Sequence, residues 1–351
     1  MTDKTHGVAT LYEQMKAKLS KVVPDVELKI KAEIAYEINL LKKKRNAVIL
    51  GHNYMEPALF HSVPDFTGDS LDLSRKAATT DKDVIVFCGV RFMAETAKIL
   101  SPHKTVLIPS AKAGCSLAES ITAEDVHNLR KQFPGVPVVT YINTYAEVKA
   151  ECDICCTSSN AQKVVESLNA DTVIFLPDEF LAANVAKQTN KHIIYPAKTP
   201  KALQSQKPGI DYHMIGWSGR CEVHELFTPK DIEMVRRQFP DVLVLAHPEC
   251  SPEVVAASDF AGSTNAMINY VKQSGADRFL LLTECSMGDN IIAESPGKEL
   301  VRLCSHRCPH MQEITLEDTR AALHEMKYQV EVPDDIRVRA KKAVDRMLEI
   351  G

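Results

Sequence analysis

One motif recurs three times along the chain, and its spacing restricts the fold more than any other feature. "TAEDVHNLRKQFPGVPVV" begins at Thr122 and "TPKDIEMVRRQFPDVLVL" at Thr228, an offset of 106 residues. A fainter copy, "TLEDTRAAL", begins at Thr315. Each Thr suits a helix N-cap, and the acidic residue three positions on complements the first helical turn. Seven residues before each Thr lies a cysteine: Cys115, Cys221 and Cys308. One thiol per copy at one fixed offset, in a chain with ten cysteines, marks three equivalent positions.

The rest of the repeat aligns on the same frame. Apolar strands end at "AVILGHNY", "PVVTYIN" and "VLVLAHPE". Second elements follow at Asp65, Asp153 and Asp259, each with a hydroxyl residue five positions later: Ser70, Ser158 and Thr264. Further apolar runs, "VIVFC", "VIFLP" and "FLLLT", come at near-constant distance. Strands alternating with helical stretches indicate parallel α/β units. The expected fold is α/β: three similar small α/β/α domains, each with a parallel sheet, around a pseudo-threefold axis with the active site at its centre. The expected boundaries are a helical arm over 1–45, then units over 46–134, 135–240 and 241–351, the last including the C-terminal helices. Asp153 to Cys221 is longer than its two counterparts, and the excess reads as a surface insertion at about 196–214.

Composition narrows the function. Hydrophobic content of 45% and charged content of 25% are ordinary for a globular protein. A net charge of −4 gives no electrostatic reason to expect nucleic acid or an anionic membrane as partner. No signal peptide and no apolar run of about 18 residues are present. The expectation is a cytoplasmic protein with reduced thiols, where metal or catalytic use is favoured over disulfides. The densest thiol cluster, "CDICCTS", aligns with "DFTGDS" and "DFAGST", which have no thiols. Cys155 and Cys156 therefore read as small buried residues, and Ser158 as the informative position there.

Ligands of parallel α/β sheets bind at the carboxyl ends of strands. Those ends carry His52, Asn53 and Tyr54; Tyr141 and Asn143; and His247 and Glu249. Helix N-termini with hydroxyls at Ser70, Ser158 and Thr264 suit a carboxylate or phosphate. Three thiolates leave one position of a four-ligand site open, whether the group is a 4Fe–4S cluster or zinc. The pattern fits dehydration or condensation of small anionic metabolites. No strand is followed by the Gly-x-Gly-x-x-Gly turn of a nicotinamide dehydrogenase, and an iron–sulfur redox sensor has no need of the polar pocket groups.

From about residue 45 onward the chain resembles the quinolinate synthases, iron–sulfur enzymes of de novo NAD biosynthesis. The motifs are "GHNY" at 51–54, "GDSLDLS" at 68–74, "GVRFMAETAKILSP" at 89–102, "YINTYAEVKA" at 141–150, "TSSNA" at 157–161, "HPEC" at 247–250, "GSTNAM" at 262–267 and "CPHM" at 308–311. The resemblance implies a condensing and dehydrating transferase that joins iminoaspartate to dihydroxyacetone phosphate, releasing phosphate and water. It implies coupling to an L-aspartate oxidase or dehydrogenase that supplies iminoaspartate. It also implies that Cys115, Cys221 and Cys308 hold a 4Fe–4S cluster with one open iron acting as Lewis acid. His52, Ser70, Tyr141, Asn143, Ser158, His247, Glu249 and Thr264 would line the substrate pocket. Tyr54, His52, Tyr141 and Glu249 would be catalytic; Glu249 can fill an acid–base role if burial raises its pKa toward neutrality. His224 is a weaker candidate beside Cys221. Some relatives carry Cys-x-x-Cys-x-x-Cys ending at the third thiol; in "LCSHRC" Cys304 stands four residues before Cys308 and Ser305 replaces the nearer cysteine, which argues against a regulatory disulfide of that kind.

Overall fold

The computed structural model describes residues 2–195, 212–303 and 306–351. Most of the expected insertion, together with Cys304 and Ser305, lies outside the described residues. Three parallel sheets share one strand order. In the first, β1 (Ala47–His52), β2 (Phe66–Gly68), β3 (Val84–Cys88) and β4 (Thr105–Leu107) are arranged β2-β1-β3-β4. The second comprises β5 (Val138–Tyr141), β6 (Ile154–Cys156), β7 (Val173–Leu176), β8 (Ile193–Ile194) and β9 (Met214–Ile215), in the order β6-β5-β7-β9-β8. The third, β10 (Leu243–Ala246), β11 (Phe260–Ala261), β12 (Arg278–Leu282) and β13 (Glu299–Val301), runs β11-β10-β12-β13. The extra edge strand β8 precedes the segment that the sequence reads as inserted.

The threefold signal has a physical basis in two recurring side-chain devices. The Thr hydroxyl at the head of each repeat donates to the carboxylate three residues on: Thr122 to Asp125 at 2.7 Å, Thr228 to Asp231 at 2.8 Å and Thr315 to Asp318 at 2.6 Å. These caps begin the helices Ala123–Gln132, Pro229–Gln238 and Leu316–Glu325. The second device is an aspartate entering the second strand of each unit. Its Oδ2 accepts a strand amide: Ile49 N to Asp65 at 2.9 Å, Val138 N to Asp153 at 2.7 Å and Val244 N to Asp259 at 2.7 Å. A cation from the preceding helix pairs with each carboxylate: Lys42 at 2.8 Å, Arg130 at 2.9 Å and Arg236 at 2.9 Å. One residue type thus ties helix, first strand and second strand together in each unit.

The helix Asp25–Lys44, which the sequence assigns to an arm, packs on β1 and supplies Lys42 to the first unit. The C-terminal helices, grouped by sequence with 241–351, pack elsewhere. Leu316–Glu325 lies on Asp25–Lys44 and β3, and Asp334–Ile350 lies on Ala146–Ala150 and β6. The helix after each thiol belongs to the next unit, and for the third thiol the next unit is the first. Among the described residues no helix is long and apolar enough to cross a membrane. Replacing Asp259 with Ala strands the buried Val244 amide and should lower stability by about 1–3 kcal/mol. Urea unfolding beside the parent protein checks this; a loss below about 0.5 kcal/mol, the range of ordinary surface changes, overturns it.

Candidate functional site

The twelve residues that the resemblance assigns to the site, and His224, line one cavity; Asn53 stands behind it. Its atom-free space of about 720 Å³ is partly open to solvent, and every unit contributes to the lining. The first strand of each unit delivers the first group: His52 ends β1, Tyr141 ends β5, and His247 follows β10. Two residues on, the tight loops present Tyr54, Asn143 and Glu249. Asn143 Oδ1 is buried and has no partner among the described residues, so a ligand can satisfy it.

The hydroxyls sit where anions bind, and two of them are relieved of capping. Ser70 and Thr264 are the first residues of their helices, and capping falls to Asp69 and Ser263. Thr264 Oγ1 accepts from Asn53 Nδ2 at 2.8 Å. Ser158 lies in the turn before the helix Ala161–Ser167. Neither Ser70 nor Ser158 has a side-chain partner among the described residues.

The thiols of Cys115, Cys221 and Cys308 follow the fourth strand position of each unit and open short helical turns. Burial pushes Cys115 up to about 12 and Cys308 up to about 11, and the Cys221 thiol well above the ordinary range. Backbone amides two and three residues ahead of each thiol pull the other way: Leu117 and Ala118, Val223 and His224, His310 and Met311. This donor set fits a soft metal centre: three converging sulfurs, each facing two amides that favour the thiolate, with a large charge penalty that a metal cation relieves. Cys155 and Cys156 lie inside β6 and do not line the cavity.

A continuous hydrogen-bonded chain crosses the site. Tyr54 Oη lies 2.5 Å from Thr283 Oγ1, which lies 3.0 Å from His224 Nε2. His224 Nδ1 is 2.9 Å from Glu249 Oε2, and Tyr141 Oη donates to Glu249 Oε1 at 2.5 Å. Thr283, His224 and Glu249 have the connectivity of an acid–base triad. The condition of a raised Glu249 pKa is not met. Burial does push it upward, but the charge and hydrogen bond of His224, with His247 and Tyr141, outweigh burial and hold the carboxyl below its ordinary range. Glu249 therefore stands as a carboxylate at pH 7. Burial, then Glu249, raises both Tyr54 and Tyr141 well above the ordinary tyrosine range.

His224 moves from weak candidate to the centre of this chain, touching Cys221 Sγ at 3.1 Å and stacking on His247 with ring centroids 4.7 Å apart. Sequence reasoning missed Thr283 and Glu284. Both stand at the carboxyl end of β12, and applying the strand-end rule to the third strand of each unit, as to the first, finds them.

His52 and His247 are a second matched pair. Each Nδ1 accepts a backbone amide two residues on, from Tyr54 at 3.2 Å and Glu249 at 3.4 Å. Those bonds place the proton on Nε2. Burial lowers His52 to about 4 and His247 to about 3, so both are neutral donors at pH 7.

Fold and cavity bring thiols, imidazoles and hydrogen-bonded polar groups from three α/β units around one space, an arrangement that suits an enzyme site for small polar molecules. Residues 36–349 match the family described as Quinolinate synthetase A protein. The chain is 52% identical over 344 residues to Quinolinate synthase 2 of Mesorhizobium japonicum, covering 98% of each chain. It is 52% identical to Quinolinate synthase of Agrobacterium fabrum, covering 98% of this chain and 92% of that one. Against Quinolinate synthase of Xylella fastidiosa it is 55% identical over 310 residues, covering 88% and 85%. The chain belongs to the quinolinate synthase family.

The histidines make stability pH-dependent. Their folded pKa values lie below the unfolded value of about 6.5, so their contribution is complete above that pH and is lost on acidification toward 4 and 3. Each should account for at most about 1.4 kcal/mol per pH unit across that window. Urea unfolding at pH 7 and 5 should show a smaller acid loss for His247→Gln than for the parent; equal losses overturn the assignment.

Proposed function

We propose that the enzyme condenses iminoaspartate with dihydroxyacetone phosphate to quinolinate, phosphate and two waters, a redox-neutral sum. The observation that carries this reading is the convergence of three thiols, the anion-suited hydroxyls and the Thr283–His224–Glu249 relay on one cavity, in a chain whose relatives bear that name. Cys115, Cys221 and Cys308 are the residues to hold a 4Fe–4S cluster, which when bound supplies an open iron as Lewis acid. Ser70, Ser158, Thr264 and Asn143 bind and orient the carboxylates and the phosphate. His52 and His247 present Nε2–H donors to substrate oxygens. Making the carbon–carbon and carbon–nitrogen bonds requires protons to leave carbon and nitrogen and to reach departing oxygens. The His224–Glu249 pair stores that proton, and Tyr54, through Thr283, and Tyr141 deliver it at opposite ends of the chain. Iminoaspartate hydrolyses in water, so an L-aspartate oxidase or dehydrogenase is the fitting supplier.

One observation favours a second reading. The ligating atoms of Cys221, His224 and Glu249 lie within 4.8 Å of one another, a set that suits zinc. Metal analysis of anaerobically purified protein decides: about four irons and four sulfides per chain support the cluster, and stoichiometric zinc with little iron supports the alternative.

Ala at Cys115, Cys221 or Cys308 should abolish stable iron binding and quinolinate formation together. Ala at Cys155 should leave iron content near normal with a modest stability loss. Iron and sulfide assays on the four variants check this, and a full, stable cluster in any of the first three removes that residue from the ligand set. Glu249→Gln should keep the iron–sulfur spectrum while turnover falls about 10²–10⁴-fold, the usual worth of a proton-transfer group. Anaerobic assay of quinolinate beside iron content measures both, and turnover within tenfold of the parent excludes the acid–base role.

A further inference from the structure

The loops that carry Glu249 and Tyr54 are each gripped by an asparagine from a neighbouring unit. Asn184 Nδ2 donates to Pro248 O at 2.8 Å and Cys250 O at 3.0 Å, the two carbonyls that flank Glu249. Asn290 Nδ2 donates to Asn53 O at 3.1 Å and Met55 O at 2.9 Å, the two that flank Tyr54. The two asparagines are equivalent in the repeat. Each stands six residues after the carboxylate that caps the helix following its unit's third strand, Asp178 after β7 and Glu284 after β12. Both side chains are buried, at 4% and 3% exposure. A primary amide has two N–H donors, and here both are committed to carbonyls two residues apart, which fixes the peptide on either side of the functional residue.

The third equivalent breaks the pattern in an informative way. Six residues after Val90 stands Thr96, and its hydroxyl turns back to Phe92 O at 2.8 Å within its own helix. The corresponding loop carries Asn143, which is outside the relay, although Tyr141 at the strand end before it is not. Among the described residues the double grip falls on the two loops whose own residue, Tyr54 or Glu249, belongs to the hydrogen-bonded chain.

We propose that Asn184 and Asn290 are positioning residues for catalysis, acting through Glu249 and Tyr54 respectively. The proposal rests on the acid–base reading of those two residues. Glu249 must stay within 2.9 Å of His224 and 2.5 Å of Tyr141, and a displacement of about 1 Å costs on the order of 100-fold in rate.

The test is a pair of double-mutant cycles on the cluster-loaded enzyme, with iron content and circular dichroism recorded on every preparation. Asn184→Ala should lower kcat about 10- to 100-fold while KM for dihydroxyacetone phosphate changes less than about threefold. In a Glu249→Gln background the same change should cost less than about threefold, because the group it positions is already disabled. Asn290→Ala should behave likewise against Tyr54→Phe. Thr96→Val should leave kcat within about twofold. Should the Ala variant not fold, Asn184→Ser keeps one donor and should give a smaller loss with the same non-additivity. Equal fold-losses in parent and Glu249→Gln backgrounds, or parent-like kcat in both asparagine variants, overturn the proposal. Parent-like turnover in Glu249→Gln alone overturns the acid–base reading instead, so the two failures are distinct.

Discussion

Glu249 is a carboxylate almost wholly removed from water, and much of the molecule is arranged to tolerate it. An isolated buried charge is costly, and proteins keep one only when it is paired and hydrogen-bonded. Glu249 follows the first strand of the third unit, whereas its partners His224 and Tyr141 come from segments of the second. The pairing therefore sets the register between two units as well as the ionisation of the site. His224 extends the constraint through Thr283 to Tyr54 of the first unit. One buried charge thus binds all three units to a common geometry.

The same logic separates the two kinds of histidine. His224 sits against a carboxylate, its Nδ1 2.9 Å from Glu249 Oε2. His52 and His247 accept backbone amides at Nδ1, and burial keeps them neutral, for His247 against the opposing pull of Glu249 at 3.8 Å. Imidazoles of one cavity are thereby set apart by their hydrogen-bond partners.

The architecture was legible because its physics is local and repeated. Thr–Asp caps, strand-entry aspartates and helix-borne cations recur at fixed offsets, and the thiols travel with them. The positions at the carboxyl ends of the first strands were legible for the same reason. What escaped was asymmetric. Thr283 corresponds to Gly89 and Pro177 in the other units, residues with no side-chain donor, so repetition gave no hint of it. The direction of the Glu249 shift depends on His224, 25 residues away in sequence and adjacent only after folding. The placement of the C-terminal helices depends on closure of the ring, a property of the whole chain that no local spacing records. Asn184 and Asn290 sit inside helices, where a strand-end search does not look.

That closure has a bearing on how the protein comes to exist. The helix Leu316–Glu325 docks on Asp25–Lys44, so the last tenth of the chain completes a surface laid down by the first. Cys308 leaves the ribosome late, and the floor of the cavity cannot be assembled before it does. A nascent chain stalled after two units therefore presents Cys115 and Cys221 without Cys308, and the three-thiol arrangement exists only once the third unit has been made.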